Sequence, residues 1–227
     1  MNKTASRQEH KYYISADSAR LLRSQLGSLL RTDPHADPNG GYLIRSLYFD
    51  SVDYRAFREK IDGIKERSKY RLRFYNFDES FLVFEKKERD GDACRKISEE
   101  VSKGTALQLV RGERVDRPGP LLTEYNSLVD KEGLRPAVIV DYYRYAYAWP
   151  FSDVRVTLDC DLTTPLWEKD LFDPDLPHYP VYGEGEALLE LKFNECVPDF
   201  LEGLLAGIPK IKVANSKYTR CMCMLNE

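Results

Sequence analysis

The sequence predicts an α+β fold in which an eight-stranded antiparallel β-barrel carries its helices on the outside. Two observations carry this expectation. About eight segments have strand length and composition, and they follow one another mostly as hairpins rather than in the strand–helix–strand alternation of a parallel sheet. One of them, around residues 67–76, places Arg67, Lys69, Arg71 and Arg73 at every second position, so in a strand these cations share one face while Tyr70, Leu72 and Phe74 take the other. Neighbouring like charges about 6 Å apart cost roughly 3 kcal/mol at an effective dielectric of 20. An anion is therefore expected across them, with the cationic face turned into the barrel and the aromatic face packed against an outer layer.

The elements follow in order. Residues 10–14 read as a strand, and Ser15 or Asp17 caps a helix with Leu21, Leu22, Leu26, Leu29 and Leu30 at helical spacing. Prolines and glycines break the chain over 33–41. A strand at 42–49 leads into a short helix at 50–60, capped by Asp50 or Ser51. Strands at 67–76 and 81–88 form a hairpin around Asp78-Glu79, and the Asp90-Gly91-Asp92 turn opens the strand at 93–101. Residues 104–132 are helical, interrupted at Arg117-Pro118-Gly119-Pro120 and stopped by Gly133. Strands at 137–149 and 154–162 flank a turn containing Pro150. A long excursion over 163–185 precedes the strand at 187–193 and helices at 198–206 and 216–225.

The 227 residues suit a single domain. Lys and Arg total 34 against 37 Asp and Glu, a net charge of -3, which excludes a globally basic nucleic-acid binder. The positive charge is instead local: residues 58–73 hold seven Lys or Arg and three Asp or Glu. Tyr70 and Tyr75 beside basic residues suggest a base-stacking platform. The core aromatics fall on the face opposite the cations, however, and no nucleic-acid partner is expected. The five cysteines lack a CxxC pair and the three histidines lack metal-ligand spacing, so neither a zinc site nor a disulfide framework is expected. With no apolar leader and no run of 18 apolar residues, the chain is expected in the cytoplasm, reaching a membrane only through a membrane-protein partner.

Three strands repeat a Glu-x-Lys pattern: Glu9-His10-Lys11, Glu85-Lys86-Lys87 and Glu190-Leu191-Lys192. Each puts a carboxylate and an ammonium on one face. On solvated strands such a pair is ordinary surface chemistry, but Glu190 and Lys192 lie within the apolar stretch 187–193, where buried charges need partners or a ligand. Residues 138–144 end an apolar strand on Arg144. Arg155, Thr157 and Asp159 share a face opposite Val154, Val156 and Leu158, which pairs Arg155 with Asp159 in the plainest reading. Ser216 or Asn215 caps the last helix, with Lys217 placed to meet a phosphate.

Taken in order, Arg7-Gln-Glu-His-Lys-Tyr12, Ser46-Leu-Tyr-Phe-Asp50, Arg71-Leu-Arg-Phe-Tyr75, Phe84-Glu-Lys-Lys87, Tyr143-Arg-Tyr-Ala146, Val154-Arg-Val-Thr-Leu-Asp159, Leu189-Glu-Leu-Lys192 and Ser216-Lys-Tyr218 resemble the VTC domain of polyphosphate polymerases, within the triphosphate tunnel metalloenzyme (CYTH-like) superfamily. The resemblance runs over nearly the whole chain, residues 1–227. It implies a tunnel whose inward cations hold triphosphate or polyphosphate beside a carboxylate-bound Mn²⁺ or Mg²⁺. Arg71, Arg73, Lys87 and Lys192 take catalytic roles by this resemblance, and Lys11, Lys69, Arg144, Arg155, Ser216 and Lys217 bind substrate. Arg58, or Lys60 in its place, matches a further basic position. Glu190 is the metal ligand, helped by Glu85 and Glu9. The chain departs from the eukaryotic pattern at Ala214, where that pattern has lysine.

The activity so implied is transfer of the ATP γ-phosphate to a polyphosphate chain. Such chemistry needs positioning and charge neutralisation rather than a covalent nucleophile, which suits a chain without a Ser-His-Asp or Cys-His set. A metal-dependent triphosphatase and a non-catalytic polyphosphate or nucleotide sensor use the same residues and stand as rivals.

Overall fold

The computed structural model describes residues 8–225 apart from 92, 184 and 215. In chain order its elements are β1 (Gln8–Ser15), α1 (Ala16–Leu29), β2 (Arg31–Thr32), β3 (Tyr42–Asp50), α2 (Arg55–Ile61), β4 (Arg67–Tyr75), β5 (Asp78–Asp90), β6 (Ala93–Val101), α3 (Lys103–Val110), α4 (Pro120–Glu132), β7 (Arg135–Ala148), β8 (Arg155–Thr164), β9 (Tyr179–Pro180), β10 (Glu186–Phe193), α5 (Asp199–Ala206), β11 (Ile211–Lys212) and α6 (Lys217–Met224). Arg7, Asp92 and Asn215 of the sequence reading lie outside the described residues. Among the described residues no helix is long and apolar enough to cross a membrane.

Each of the eight long strands falls on a segment expected to be a strand. The expected eight-stranded closed barrel is corrected on both counts. Three two-residue strands, β2, β9 and β11, bring the sheet to 11 strands, and the hydrogen-bonded order β11-β1-β10-β8-β7-β3-β4-β5-β6, with β2 on β7 and β9 on β8, has two ends. Among the described residues no pairing joins β6 to β11. Closure requires a continuous ladder between the end strands, and β11 is two residues long and uses its pairing on Tyr12 and Tyr13 of β1.

The chain gathers into two compact units, each with its own apolar core. The first comprises Met1–Leu43, Tyr142–Leu162 and Tyr182–Asn215, and the second Ile44–Asp141, Thr163–Val181 and Ser216–Glu227.

In the first unit Ser15 caps α1, its hydroxyl accepting from the Ser18 N–H at 3.1 Å, so Ser15 rather than Asp17 starts the helix. Ala19, Leu22 and Leu26 pack with Val156 and Leu158 of β8, alternate residues Ala187, Leu189, Leu191 and Phe193 of β10, and Leu201 and Leu205 of α5. Leu21 and Leu29 face solvent, which makes the buried stripe of α1 narrower than its leucine spacing suggests. The alternation leaves Glu190 and Lys192 on the opposite face of β10.

In the second unit the same alternation sends Tyr70, Leu72 and Phe74 of β4 into a core with Leu47, Phe49, Leu82, Phe84, Leu109, Leu122 and Tyr125. The rings of Phe49, Phe84 and Tyr125 meet edge to face, with centroids 5.5–5.6 Å apart. The predicted helix over 104–132 divides into α3 and α4. Pro120 opens α4 after Gly119, and the Asn126 amide bridges the break by accepting from the Val115 N–H at 2.8 Å and donating to its carbonyl at 2.9 Å. The β4–β5 turn falls at Asn76-Phe77 instead of Asp78-Glu79. Both residues adopt positive φ, 49° and 55°, as a two-residue type I′ turn requires. The first short helix starts at Arg55 rather than near residue 50, because Tyr54 turns the chain in the left-handed region at φ 55°. Asp50 and Ser51 still serve its N-terminus from upstream: the Asp50 carboxylate accepts from Ala56 N–H at 2.8 Å and Phe57 N–H at 3.0 Å, and the Ser51 hydroxyl accepts from Arg55 N–H at 3.0 Å.

One buried ion pair links β3 to β7 in this unit. Arg45, 1% exposed, donates from Nε at 3.0 Å and Nη2 at 2.8 Å to the Asp141 carboxylate, which is 2% exposed, and from Nη1 to the carbonyl oxygens of Leu171 and Asp173. Removing one member strands a buried charge, which typically costs 3–5 kcal/mol, whereas replacing both by apolar residues is far less harmful. Asp141→Leu should lower unfolding free energy in urea by about 3–5 kcal/mol, and Arg45→Met with Asp141→Leu should recover part of it. Equal losses in the single and double variants would show that the pair contributes only packing.

Candidate functional site

The polar face of β4, β5 and β6 in the second unit is built by register. Arg71 lies opposite Glu85, Lys69 opposite Lys87, and Arg67 opposite Arg89. Lys87 in turn lies opposite Lys96. Arg67, Lys69, Arg71, Arg73, Lys87, Arg89 and Lys96 thus share a face on these strands with two carboxylates, Glu85 and Glu100. Like charges directly opposite are destabilising. Glu85, 3% exposed, supplies the central compensation: it accepts from Arg71 Nε at 2.5 Å and from the Lys96 ammonium, with Arg73 Nη1 at 3.8 Å. Burial alone would raise the Glu85 pKa, but Arg71, Arg73 and Lys96 outweigh it and hold the carboxyl down at about 2.

Aromatic residues support the edge of this face. Arg71 Nη1 donates to Tyr48 Oη at 3.1 Å, and the Tyr48 ring stacks on Tyr218 at 5.1 Å. Tyr218 donates its hydroxyl to Asp50. Burial pushes the Tyr48 pKa up, yet Arg71 and Arg73 reverse that and leave it below its ordinary value. Ser216 caps α6, accepting from Thr219 N–H at 3.3 Å, and also accepts from Lys69 Nζ at 2.8 Å. Lys217 is the first residue of α6. Arg73 Nε donates to Ser46 Oγ at 3.2 Å.

A second cluster occupies the first unit. Glu9 lies opposite Lys192 and Lys11 opposite Glu190 across β1 and β10, so opposite charges meet on both rungs. Lys11 Nζ is 3.5 Å from Glu9 and 3.4 Å from Glu190, and Lys192 Nζ is 3.4 Å and 3.2 Å from the same carboxylates. Burial lowers the Lys192 pKa against the pull of Glu190 and Glu9. Arg144 grips the fully buried Asp159 through Nε at 2.6 Å and Nη2 at 2.7 Å, with Nη2 3.7 Å from Glu190. Burial works against the Arg144 charge, and Asp159 more than restores it. Arg155 does not pair with Asp159 as its spacing suggested; it reaches Asp33 at 2.8 Å and the Tyr42 hydroxyl at 3.3 Å. Four cations here meet four carboxylates, so this cluster is balanced where the β4–β6 face is not.

The structure therefore groups Arg71, Arg73, Lys69, Lys87, Glu85 and Ser216 in one unit, and Lys11, Glu9, Arg144, Arg155, Glu190 and Lys192 in the other. Arg58 lies on α2, which contacts β4 and α6, but its side chain is 56% exposed and paired with Asp53. Among the described residues no three His, Cys, Asp or Glu gather as a ligand set. Glu9 and Glu190 fit a hard cation in a narrower sense: Mg²⁺ commonly takes one or two carboxylates and completes its shell with phosphate oxygens and water. Glu85 is committed to Arg71 and Lys96. Lys96, Tyr48, Tyr218, Asp33 and Asp159 were missed as site members. Lys96 was within reach of the sequence, because the turn expected around Gly91 sets it opposite Lys87.

Glu85 has a folded pKa below its ordinary 4.5, so it contributes stability at pH above that value and loses it as pH falls toward 2. Unfolding free energy should drop by about 2 kcal/mol between pH 6 and pH 3 on this account, and Glu85→Gln should flatten that part of the profile. An unchanged slope in the variant would place the acid sensitivity in other carboxylates.

The family model of the VTC domain matches residues 6–226. A Schizosaccharomyces pombe protein named negative regulator of ofd1 is 32% identical over 82 residues, which cover 35% of this chain and 21% of that protein, so the chain matches about a fifth of that relative's length. Among solved structures, a Bacillus halodurans protein provisionally named an adenylate cyclase aligns with a TM-score of 0.57 at 15% identity, over 92% of this chain and 96% of its own. A chain of the Schizosaccharomyces pombe Mediator head module aligns at 0.52 and 11%, over 91% and 99%. A Pyrococcus horikoshii protein aligns at 0.51 and 14%, over 96% and 97%. These likenesses are of fold alone, an antiparallel sheet with flanking helices. A match that runs from residue 6 to residue 226, through all eight long strands, shows that the chain belongs to the VTC domain family.

Proposed function

We propose that this protein is a polyphosphate polymerase-like phosphoryl transferase that binds ATP and polyphosphate. The observation that carries the reading is the cation excess on β4–β6, where Arg67, Lys69, Arg71, Arg73, Lys87, Arg89 and Lys96 outnumber Glu85 and Glu100. Membership of the VTC domain family supports phosphate as the anion. In the proposed reaction the bond from the γ-phosphorus to the β–γ bridging oxygen breaks, a bond to a terminal oxygen of the polyphosphate chain forms, and ADP leaves with the electron pair. Arg71 and Arg73, oriented by Glu85, Tyr48 and Ser46, clamp phosphate oxygens through fixed donor forks, while Lys69 and Lys87 add mobile point charges. Fixed donors of this kind neutralise charge on the transferring group without reorganising. Lys217, at the first turn of α6, adds an ammonium where helix N–H groups favour an anion. Lys11, Lys192, Arg144 and Arg155 are proposed as phosphate contacts of the first unit. Glu190 and Glu9 would hold Mn²⁺ or Mg²⁺ jointly with phosphate oxygens, and the ion would supply charge neutralisation to the phosphates bound in the first unit.

A second reading is binding without turnover, as a polyphosphate or nucleotide sensor. It is favoured by the engagement of Glu190 by Lys11, Lys192 and Arg144, which sets three cations against the principal metal ligand. We place the chain in the cytoplasm, with a membrane-protein partner.

Incubation with ATP and Mn²⁺ separates the readings: polyphosphate with ADP supports the polymerase, orthophosphate alone a triphosphatase, and tight binding with neither product the sensor. Binding itself is read by thermal shift. Tripolyphosphate at 100 times its Kd should add about 2.7 kcal/mol, a rise of roughly 5–10 °C for a chain of this length. Arg71→Ala would leave Glu85 buried without its main partner, so the informative variant is Arg71→Gln with Glu85→Gln. It should lower the ligand-free Tm, because Arg73 and Lys96 lose their carboxylate, and lose most of the tripolyphosphate shift; a full shift would remove Arg71 from the site. Glu190→Gln should abolish metal-dependent turnover yet tighten tripolyphosphate binding several-fold, because it removes a counter-charge from Lys11, Lys192 and Arg144. Wild-type turnover in that variant would end the metal role.

A further inference from the structure

The cationic face does not stop at the residues matched to the family's motifs. Beyond Arg71, two successive rungs set like charges opposite one another across paired strands: Lys69, Lys87 and Lys96 on one, and Arg67 and Arg89, followed by Cys94, on the next. Directly opposite side chains have Cβ atoms about 5 Å apart, and the Arg67 pKa is lowered first by burial and then by the facing Arg89. Both guanidiniums are nonetheless held in place by backbone carbonyls, Arg67 Nη1 donating to Ile64 and Arg89 Nε donating to Gly91 at 2.8 Å. At about 3.3 Å per residue, the row from Arg73 to Arg67 runs about 20 Å along β4. A triphosphate falls well short of that length.

Resting on the proposed phosphate-binding function, we infer that Arg67 and Arg89 form a distal subsite for phosphates beyond the third, so that this face selects linear polyphosphate over triphosphate and nucleotide. A flexible chain with one negative charge per phosphate can lie along the row and bridge the opposed cations of each rung in turn. Each bridged rung converts a repulsion present in the free protein into an attraction in the complex. The gain therefore grows with chain length until the row is covered. A single-stranded nucleic acid carries its charges farther apart and brings bases that need stacking surfaces. Beside Arg67 and Arg89 the register places Lys69, Lys87, Lys96 and Cys94, with the Glu59 carboxylate acting on Arg67. The rings that reach the row, Tyr48 and Tyr218, meet Arg71 and Lys69 rather than Arg67 or Arg89.

The test compares tripolyphosphate, a polyphosphate of several tens of phosphates and a poly-uridylate RNA, each titrated into the full chain and into Arg67→Ala with Arg89→Ala. Affinity is expressed per binding site at fixed ionic strength. The wild-type chain should bind the long polyphosphate at least tenfold more tightly than tripolyphosphate. The double variant should lose most of that advantage while its tripolyphosphate affinity and ligand-free Tm stay within twofold and 2 °C of wild type. A long-chain advantage kept in full by the variant would return Arg67 and Arg89 to the role of solvated, edge-protecting charges and overturn the inference. RNA bound as tightly as polyphosphate would overturn the selection. Failure of the wild-type chain to bind any of the three would instead reject the proposed function itself.

Discussion

Glu85 is the constraint on which the charged face of this protein depends. Without a carboxylate buried between Arg71, Arg73 and Lys96, the register of β4, β5 and β6 would bring cations against cations with nothing beneath them. Its desolvation is compensated only because three partners reach it, and their repulsion is relieved only because it stays ionised. One buried anion therefore sets both the geometry of the arginine forks and the amount of positive charge left over for a ligand. The first unit solves the same problem differently. There Glu9, Glu190, Asp159 and Asp33 answer Lys11, Lys192, Arg144 and Arg155 one for one, so the cluster is neutral. An approaching phosphate would have to compete with carboxylates in the first unit, whereas on β4–β6 it meets charge already in surplus.

Much of this was legible in the sequence, and the reason is the period of the strand. Alternation along 67–75 assigned Tyr70, Leu72 and Phe74 to the core and the cations to the other face, and alternation along 187–193 did the same for β10. Helix caps at Ser15 and Ser216 were legible because a hydroxyl before a helix has one dominant use. What stayed hidden is whatever depends on residues far apart in the chain. Arg45 and Asp141 are 96 positions apart; each sits beside apolar strand residues, but nothing local shows that they pair with each other. Asp33 lies in a loop of prolines and glycines, so its pairing with Arg155 left no pattern, and the nearer Asp159 was the natural but incorrect partner. The three two-residue strands are too short to show any period. The turn at Asn76-Phe77 was misplaced because phenylalanine is an uncommon residue at positive φ; here its ring lies edge-on to Phe74 with the Arg45 guanidinium 4.7 Å above it.

The family match and the charge distribution bear on different questions. Membership of the VTC domain family covers the whole described chain, while the chain's own chemistry separates a neutral cluster from a surplus one. Ala214, where the eukaryotic pattern carries lysine, removes a cation close to Ser216 and Lys217. Lys69 already reaches Ser216 at 2.8 Å from the neighbouring strand, so part of the positive charge near α6 is delivered by β4.

The two units are threaded through one another along the chain: each is assembled from three separate stretches, and the last stretch of the second unit is the one bearing α6. A ribosome synthesising this chain makes β4, β5 and β6 well before Tyr218 can reach Asp50 or Ser216 can meet Lys69. The charged face of β4–β6 must exist for that interval without its closing helix. Domains that emerge whole can fold as they appear; this one must wait, exposing a strip of cations to the polyanionic ribosome surface from which it emerges.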